Sequence, residues 1–452
     1  MSMAAERMSR VDTAWLRMDN DVNLMTIVGV WLLTPAITLD ALRERIETRL
    51  LKYDRFCQKA VADAMGAHWV NDEHFDITRH VVPAQLQVAP GESERHALQR
   101  LCGELAMTPL DASRPLWQFQ FIDSYEGGSA LIARIHHCIG DGIALISVMM
   151  SITDGGADPP TRRKRAWAES SSIELPFSPK QPLMDGVLGG MDMARTGYKL
   201  IGDVAALALM PDDSPTALKG KPAGRKVVAW SEPMSLDDVK TVGKGLHCSV
   251  NDVLLGCVAG AVGAYLRSCG EEPAGKEIRA MVPVNLRPLD QAWQLGNRFG
   301  LAPLVLPIGI VNPVERTYAV HRRMNEMKGS YQPLLAFAVL AMSGLFIKPV
   351  QDAVLGMFSK KATAVMTNVP GPAVALKFCG STLRQTMFWV PSSGDIGVGV
   401  SVLSYGGGVQ FALITDAALC PEPQKIIDLF GPEFEKLLYL TLMLPWSGQS
   451  ID

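Results

Sequence analysis

The chain has 452 residues, 48% of them hydrophobic and 20% charged, with a net charge of −3 and a pI near 6.3. That length exceeds one ordinary core and predicts two domains, while the near-neutral balance excludes a whole-chain field that recruits nucleic acid. The eight cysteines show no Cys-x-x-Cys or zinc spacing. With no secretory signal they read as reduced cytosolic thiols, and no run reaches the roughly 18 to 20 apolar residues of a membrane span.

Met1 to Met8 lead into a short helix capped by Ser9, and Met25 to Leu33 reads as a strand. A helix starts at Thr38-Leu39-Asp40, carries Leu42, Ile46 and Leu50 on one face, and ends near Arg55-Phe56. Pro115-Leu116-Trp117 opens the alternating Gln118 to Ile122, a proline entering a strand whose tryptophan faces inward. A further strand, Ser129 to Arg134, runs into Ile135-His136-His137-Cys138-Ile139-Gly140-Asp141-Gly142, followed by an apolar helix from Ile143 to Met150. From Thr153 to Gly224 the pattern loosens around Asp-Gly-Gly, a basic run Arg162 to Arg165, Trp167 and several prolines, with one helical piece from Gly186 to Met210. This divides the chain into a first domain over 1–175, a linker over 176–224 and a second domain over 225–452.

In the second domain Lys226 to Trp230 reads as a strand, and Ser235 caps a helix with Asp237 and Asp238 in its first turn. Another helix starts at Asn251-Asp252, which suits an N-cap pair and equally a contribution to a site. Arg279 to Arg287 is a strand leading into a turn, with Gly296-Asn297 beyond it. Ala364 to Pro372 is a strand ending in Asn368-Val-Pro-Gly-Pro, where two prolines fix a rigid turn. Gly397 to Phe411 reads as a glycine-turned hairpin. Two greasy stretches, Pro333 to Ile347 and Leu437 to Trp446, suit either core or a membrane surface.

The chemistry concentrates at the paired histidines. A strand, a tight turn and a helix start would stand them beside exposed amide groups, with Gly140 and Gly142 serving a positive φ or a close approach. A neutral imidazole there suits proton removal from a hydroxyl. Asp141, four positions beyond His137, cannot easily reach that ring across a sharp turn and is better read as a brace paired with an arginine. The plain alternative is two core histidines before an Asp cap. Two adjacent histidines plus Asp-Gly at fixed spacing, in a chain with only 8 histidines, favour function.

His-His-x-x-x-Asp-Gly resembles the signature of the CoA-dependent acyltransferase superfamily. Pro-Leu-Trp upstream, Asn251-Asp252 and Asn-Val-Pro-Gly-Pro downstream resemble, in order, the wax ester synthase/diacylglycerol acyltransferase branch. The resemblance implies an α/β fold of two chloramphenicol-acetyltransferase-like domains with mixed sheets and an active-site tunnel at their interface. It implies an O-acyltransferase moving a long-chain acyl group from acyl-CoA to a long-chain alcohol or diacylglycerol, with His137 as general base. His136 would orient His137 or line the tunnel, Gly140 and Gly142 would let substrate pass, and Trp117 would pack the tunnel wall. Gly142 N–H, Asn285, Asn251 and Asn368 are the candidate oxyanion donors. Arg55 and Arg287 are candidate partners of Asp141, and Asp252 a structural brace. No metal or cofactor is called for beyond acyl-CoA as substrate; the basic run could meet anionic lipid or CoA phosphates. Expected partners are acyl-CoA, the lipid alcohol and a membrane or lipid-droplet surface met from the cytoplasm, with no nucleic acid. Acyl transfer to a polar amine or polyketide acceptor, and a non-catalytic lipid-binding scaffold, are the alternative readings.

Overall fold

The computed structural model describes residues 6–63, 66–157, 210–288, 291, 293–328, 332–343 and 348–443. The expected boundary at 175/176, the basic run with Trp167, the helical piece before Met210 and the stretch beyond Met443 lie outside the described residues.

Two large mixed sheets carry the fold. The first has the order Lys377–Phe378, Ser381–Trp389, Thr26–Thr34, Gly128–His136, Trp117–Tyr125, Val81–Pro83, with only the last pair parallel. The strand Gly128–His136 is buried along its whole length, which explains a near-continuous apolar run in place of alternation. Gly128 is required there: a Cβ would stand 1.9 Å from the Leu33 carbonyl oxygen of the neighbouring strand.

The second sheet runs Phe299–Leu306, Ile278–Asn285, Ala364–Pro370, Val398–Tyr405, Gly408–Asp416, Lys226–Trp230, and its two inner pairings around Ala364–Pro370 are parallel. Its core packs on the helix Val250–Ser268 through Leu254, Val258 and Val262. Among the described residues this helix alone is long and apolar enough to cross a membrane, and 83% of its apolar window is buried inside the protein.

The sheets do not divide where the sequence does. Ser381–Trp389, well beyond residue 225, pairs antiparallel with Thr26–Thr34, setting Trp389 opposite Val28. One shared core then joins Val28, Val30 and Ile132 of the first sheet to Trp230, Ala412 and Ile414 of the second. Burial of that apolar area locks the two halves together.

Candidate active site

The predicted strand, turn and helix around the paired histidines are all present. Gly128–His136 ends at His136, and Gly142–Ser151 begins immediately after Asp141, its N-cap. Neither Gly140 nor Gly142 has a positive φ. Gly140 instead serves a close approach: a Cβ would meet Leu295 Cδ2 at 3.2 Å, where a parallel bridge joins Gly140 to Gly296. A Cβ at Gly142 would meet nothing within 4 Å, because this residue borders a cavity.

His137 is 5% exposed and held by its backbone. Its N–H donates to the Met25 carbonyl at 2.7 Å, and its carbonyl accepts from Asn297 Nδ2 at 2.7 Å. The imidazole stacks on the Trp15 indole with centroids 4.0 Å apart and planes 8° apart, and Phe299 tilts against it at 5.7 Å. Its Nδ1 is buried, which leaves Nε2 as the nitrogen available to a substrate. Burial pushes the His137 pKa down to about 4, with the neighbouring His136 acting in the same direction. The ring is therefore neutral at pH 7, the state that can accept a proton.

Asp141 is the brace. Its Oδ1 accepts from Ala144 N–H at 3.0 Å as a helix cap, and its Oδ2 accepts from Arg298 N–H at 3.0 Å. Arg287 straddles the carboxylate, with Nη2 to Oδ2 at 3.0 Å and Nη1 to Oδ1 at 3.4 Å, and also donates to the Gly296 carbonyl at 2.6 Å. Burial lowers the Arg287 pKa, with Asp141 opposing it. Arg55 is elsewhere: it pairs with Glu6 at 2.6 Å and lies over the Trp69 ring, because its position within the helical turn Asp54–Phe56 faces the small sheet that includes Glu6.

A cavity of about 180 Å³ lies between the sheets, and its wall is mainly apolar. His137, Asp141 and Gly142 border it from the first half, and Asn285, Thr367 and Asn368 from the second. Asn285 also closes the turn to Arg287, accepting from Arg287 N–H at 3.0 Å. Asn251 does not border the cavity; it stands behind Asn368 and accepts from its Nδ2 at 2.8 Å. Within the greasy stretch that starts at Pro333, Ala336, Phe337, Val339 and Leu340 of the helix Gln332–Ser343 line the cavity.

Two other expectations change. His136 does not border the cavity; Cys138 N–H donates to its Nδ1 at 3.1 Å, which turns the ring back into its own loop with Nε2 3.3 Å from Asp19. Trp117 does not border it either, because its indole N–H donates to the Phe56 carbonyl at 2.9 Å and its ring stacks on His80. Asp252 forms a capping box with Ser249 and accepts from His321 Nδ1 at 2.8 Å. Cys248 completes a group of potential metal ligands there, yet the Asp252–His321–Asn325 hydrogen bonds already account for it as a helix-capping network.

Reading the sequence missed Asp12, Trp15 and Asn297 as site residues. Asn297 Nδ2 bridges the His137 carbonyl to Asp12 Oδ1 at 2.8 Å, and Asn297 N–H donates to the same oxygen at 3.0 Å. Burial raises the Asp12 pKa against these hydrogen bonds. The available signal was an aspartate on the same helix as the buried Val11, Ala14 and Trp15.

Comparison with known proteins decides the family. The wax ester synthase/diacylglycerol acyltransferase catalytic domain matches residues 8–254, and the C-terminal domain of the same family matches 295–438. The chain belongs to the wax ester synthase/diacylglycerol acyltransferase family. A probable diacylglycerol O-acyltransferase of Mycobacterium tuberculosis is 27% identical over 399 residues, 84% of each chain. A second protein of that organism, also named for diacylglycerol O-acyltransferase activity, is 30% identical over 396 residues, 82% of this chain and 77% of its own. Among solved structures, the wax ester synthase/diacylglycerol acyltransferase of Marinobacter aquaeolei superposes with a TM-score of 0.68 at 20% identity, covering 97% of this chain and 100% of that one. The first condensation domain of the CDA synthetase follows at 0.61 and 15%, covering 98% and 97%. At those identities the structural likeness concerns the fold, which is the mixed α/β architecture expected from the sequence.

Proposed function

We propose that the chain transfers a long-chain acyl group from acyl-CoA to the hydroxyl of a long-chain alcohol or diacylglycerol. The observation that carries this reading is the buried His137 imidazole, its backbone held by Met25 and Asn297, at the wall of an apolar cavity between the sheets. His137 Nε2 takes the hydroxyl proton as the oxygen attacks the thioester carbonyl carbon. The tetrahedral intermediate then collapses, the carbon–sulfur bond breaks, and the proton passes from His137 to the CoA sulfur. Placement of such a base contributes about 10²- to 10⁴-fold.

Gly142 N–H, at the first position of its helix, borders the cavity and is suited to the oxyanion, at roughly 3 kcal/mol for a well-placed donor. Asn285 and Asn368 border the same cavity, each with one Nδ2–H given to the Arg287 carbonyl or to Asn251 Oδ1 and a second one left for substrate. The reaction uses acyl-CoA as a substrate and calls on no resident metal or cofactor. The apolar wall argues for a lipid acceptor over a polar amine. Lipid-surface contact is supported by Tyr439, Leu440, Leu442 and Met443, exposed at the end of the helix Gln424–Leu442.

The test is free-CoA release from palmitoyl-CoA with hexadecanol, dipalmitoylglycerol and a short amine side by side. Release with the lipid alcohols supports the reading; release with the amine alone contradicts it. Flotation with liposomes tests the surface contact, and full recovery in the soluble fraction contradicts that part.

A further inference from the structure

The first helix, Arg10–Arg17, lays Trp15 flat on the His137 imidazole. Three features single this contact out. The stack is close and nearly parallel, with centroids 4.0 Å apart and planes 8° apart. Trp15 also borders the cavity, so it stands at the reacting ring and not behind it. Its indole N–H is buried without a partner, a burden that phenylalanine would avoid, so the position uses the breadth and electron density of the ring and not its polar atom.

Asn297 and Met25 hold the His137 backbone from both sides, which keeps the imidazole on the indole face. In the reaction proposed above, on which this inference rests, the imidazole is neutral in the ground state and positively charged once the hydroxyl proton has reached it. An indole face attracts a cation placed over it and does so much less for a neutral ring. An interaction that strengthens only as charge develops lowers the barrier without tightening substrate binding.

We propose that Trp15 is a catalytic residue, whose indole face stabilises the imidazolium formed on His137 during proton transfer. It adds no bond and takes no proton; the proton still moves from the acceptor hydroxyl to His137 and then to the CoA sulfur. The interaction offsets part of the penalty for charging a buried ring.

The experiment uses the full chain with Trp15 replaced by Phe, by Leu, and, through stop-codon suppression, by mono-, di- and tetrafluorotryptophan. The fluorinated rings keep the indole shape while draining its face. Expected is a kcat that falls stepwise with fluorination and in the order Trp, Phe, Leu, by roughly 3- to 30-fold at Leu, with KM for palmitoyl-CoA nearly constant. A flat kcat across the fluorinated series, equal values for Phe and Leu, or a loss carried by KM would overturn the proposal.

A second readout needs no acyl transfer. In nitrogen-15 histidine-labelled protein without substrate, the His137 titration midpoint should move to lower pH in the same order. The surrounding groups His136, Asp12, Asp141 and Arg287 stay in place throughout. An unmoved or raised midpoint contradicts the stack's role. A lowered midpoint in a protein that transfers no acyl group to any acceptor would keep the stack and reject the reaction.

Discussion

Replacing Arg287 by Met isolates the brace beneath the catalytic loop. Arg287 is 3% exposed, and the substitution removes two contacts to Asp141 and one to the Gly296 carbonyl while retaining most of the side-chain volume. It leaves the Asp141 carboxylate buried with only the Ala144 and Arg298 amides. Breaking a buried pair in this way costs about 3–5 kcal/mol, because the remaining charge keeps its desolvation penalty. The matched control is Arg55→Met. The Arg55–Glu6 pair is solvated on the Glu6 side, where the carboxylate side chain is 59% exposed, and its loss costs about 1 kcal/mol at most.

The assay is urea unfolding of both variants and of the double variant Arg287→Met/Asp141→Asn, which removes the stranded charge and should recover at least about 1.5 kcal/mol. Acyl transfer should drop with Arg287→Met and hold with Arg55→Met. Equal losses for the two arginines, or no recovery in the double variant, would refute the assignment of Arg287 as the brace.

Four further outcomes follow from the same geometry. His137 stays neutral in the folded protein down to about pH 4, whereas in the unfolded chain it protonates near 6.5. Between those values the unfolded state binds the extra proton, so stability falls as pH drops, by about 1.4 kcal/mol per pH unit once the unfolded ring is charged. His137→Gln should flatten this part of the stability–pH curve, and parallel curves would contradict it. The same pKa places the acid limb of kcat/KM near pH 4; a limb near 6.5 would contradict a buried base. Gly296→Ala forces a side chain into a backbone at φ +103° and sets its Cβ 3.4 Å from Asp12 Oδ2, so it should lose about 1–3 kcal/mol and most activity. Asn297→Ala leaves the His137 carbonyl and Asp12 without their shared donor; expected are a loss of about 1–3 kcal/mol by calorimetry and a lower kcat, and unchanged values would reject the clamp.

The strand, turn and helix that carry His137 and Asp141 were legible because their determinants are local: an apolar run, a glycine at a close crossing, an Asp cap. The partner of Asp141 was not, since Arg287 lies 146 residues away and nothing in its spacing separates it from Arg55. Asp12 and Trp15 went unnoticed for a related reason. Ser9 caps their helix through the Asp12 amide, which explains the local pattern, while the Asp12 carboxylate is committed to Asn297 from the far end of the chain. The strand Ser381–Trp389 went unread, and no local pattern in it says which sheet receives it, so its crossing to Thr26–Thr34 appears only in the fold. The tunnel-wall role of Trp117 came from the family resemblance of Pro-Leu-Trp; the Phe56 carbonyl and His80 occupy it instead.

The central claim is that His137 is the base of an acyl transfer. It is tested most directly by the single-turnover rate of CoA release from palmitoyl-CoA with a lipid alcohol, in the unchanged chain and in His137→Gln, with circular dichroism confirming the fold of both. Expected are release in the unchanged chain and a loss of about 10²- to 10⁴-fold in the variant. A variant rate within about threefold of the unchanged chain, or no release from either with any lipid acceptor, would contradict it.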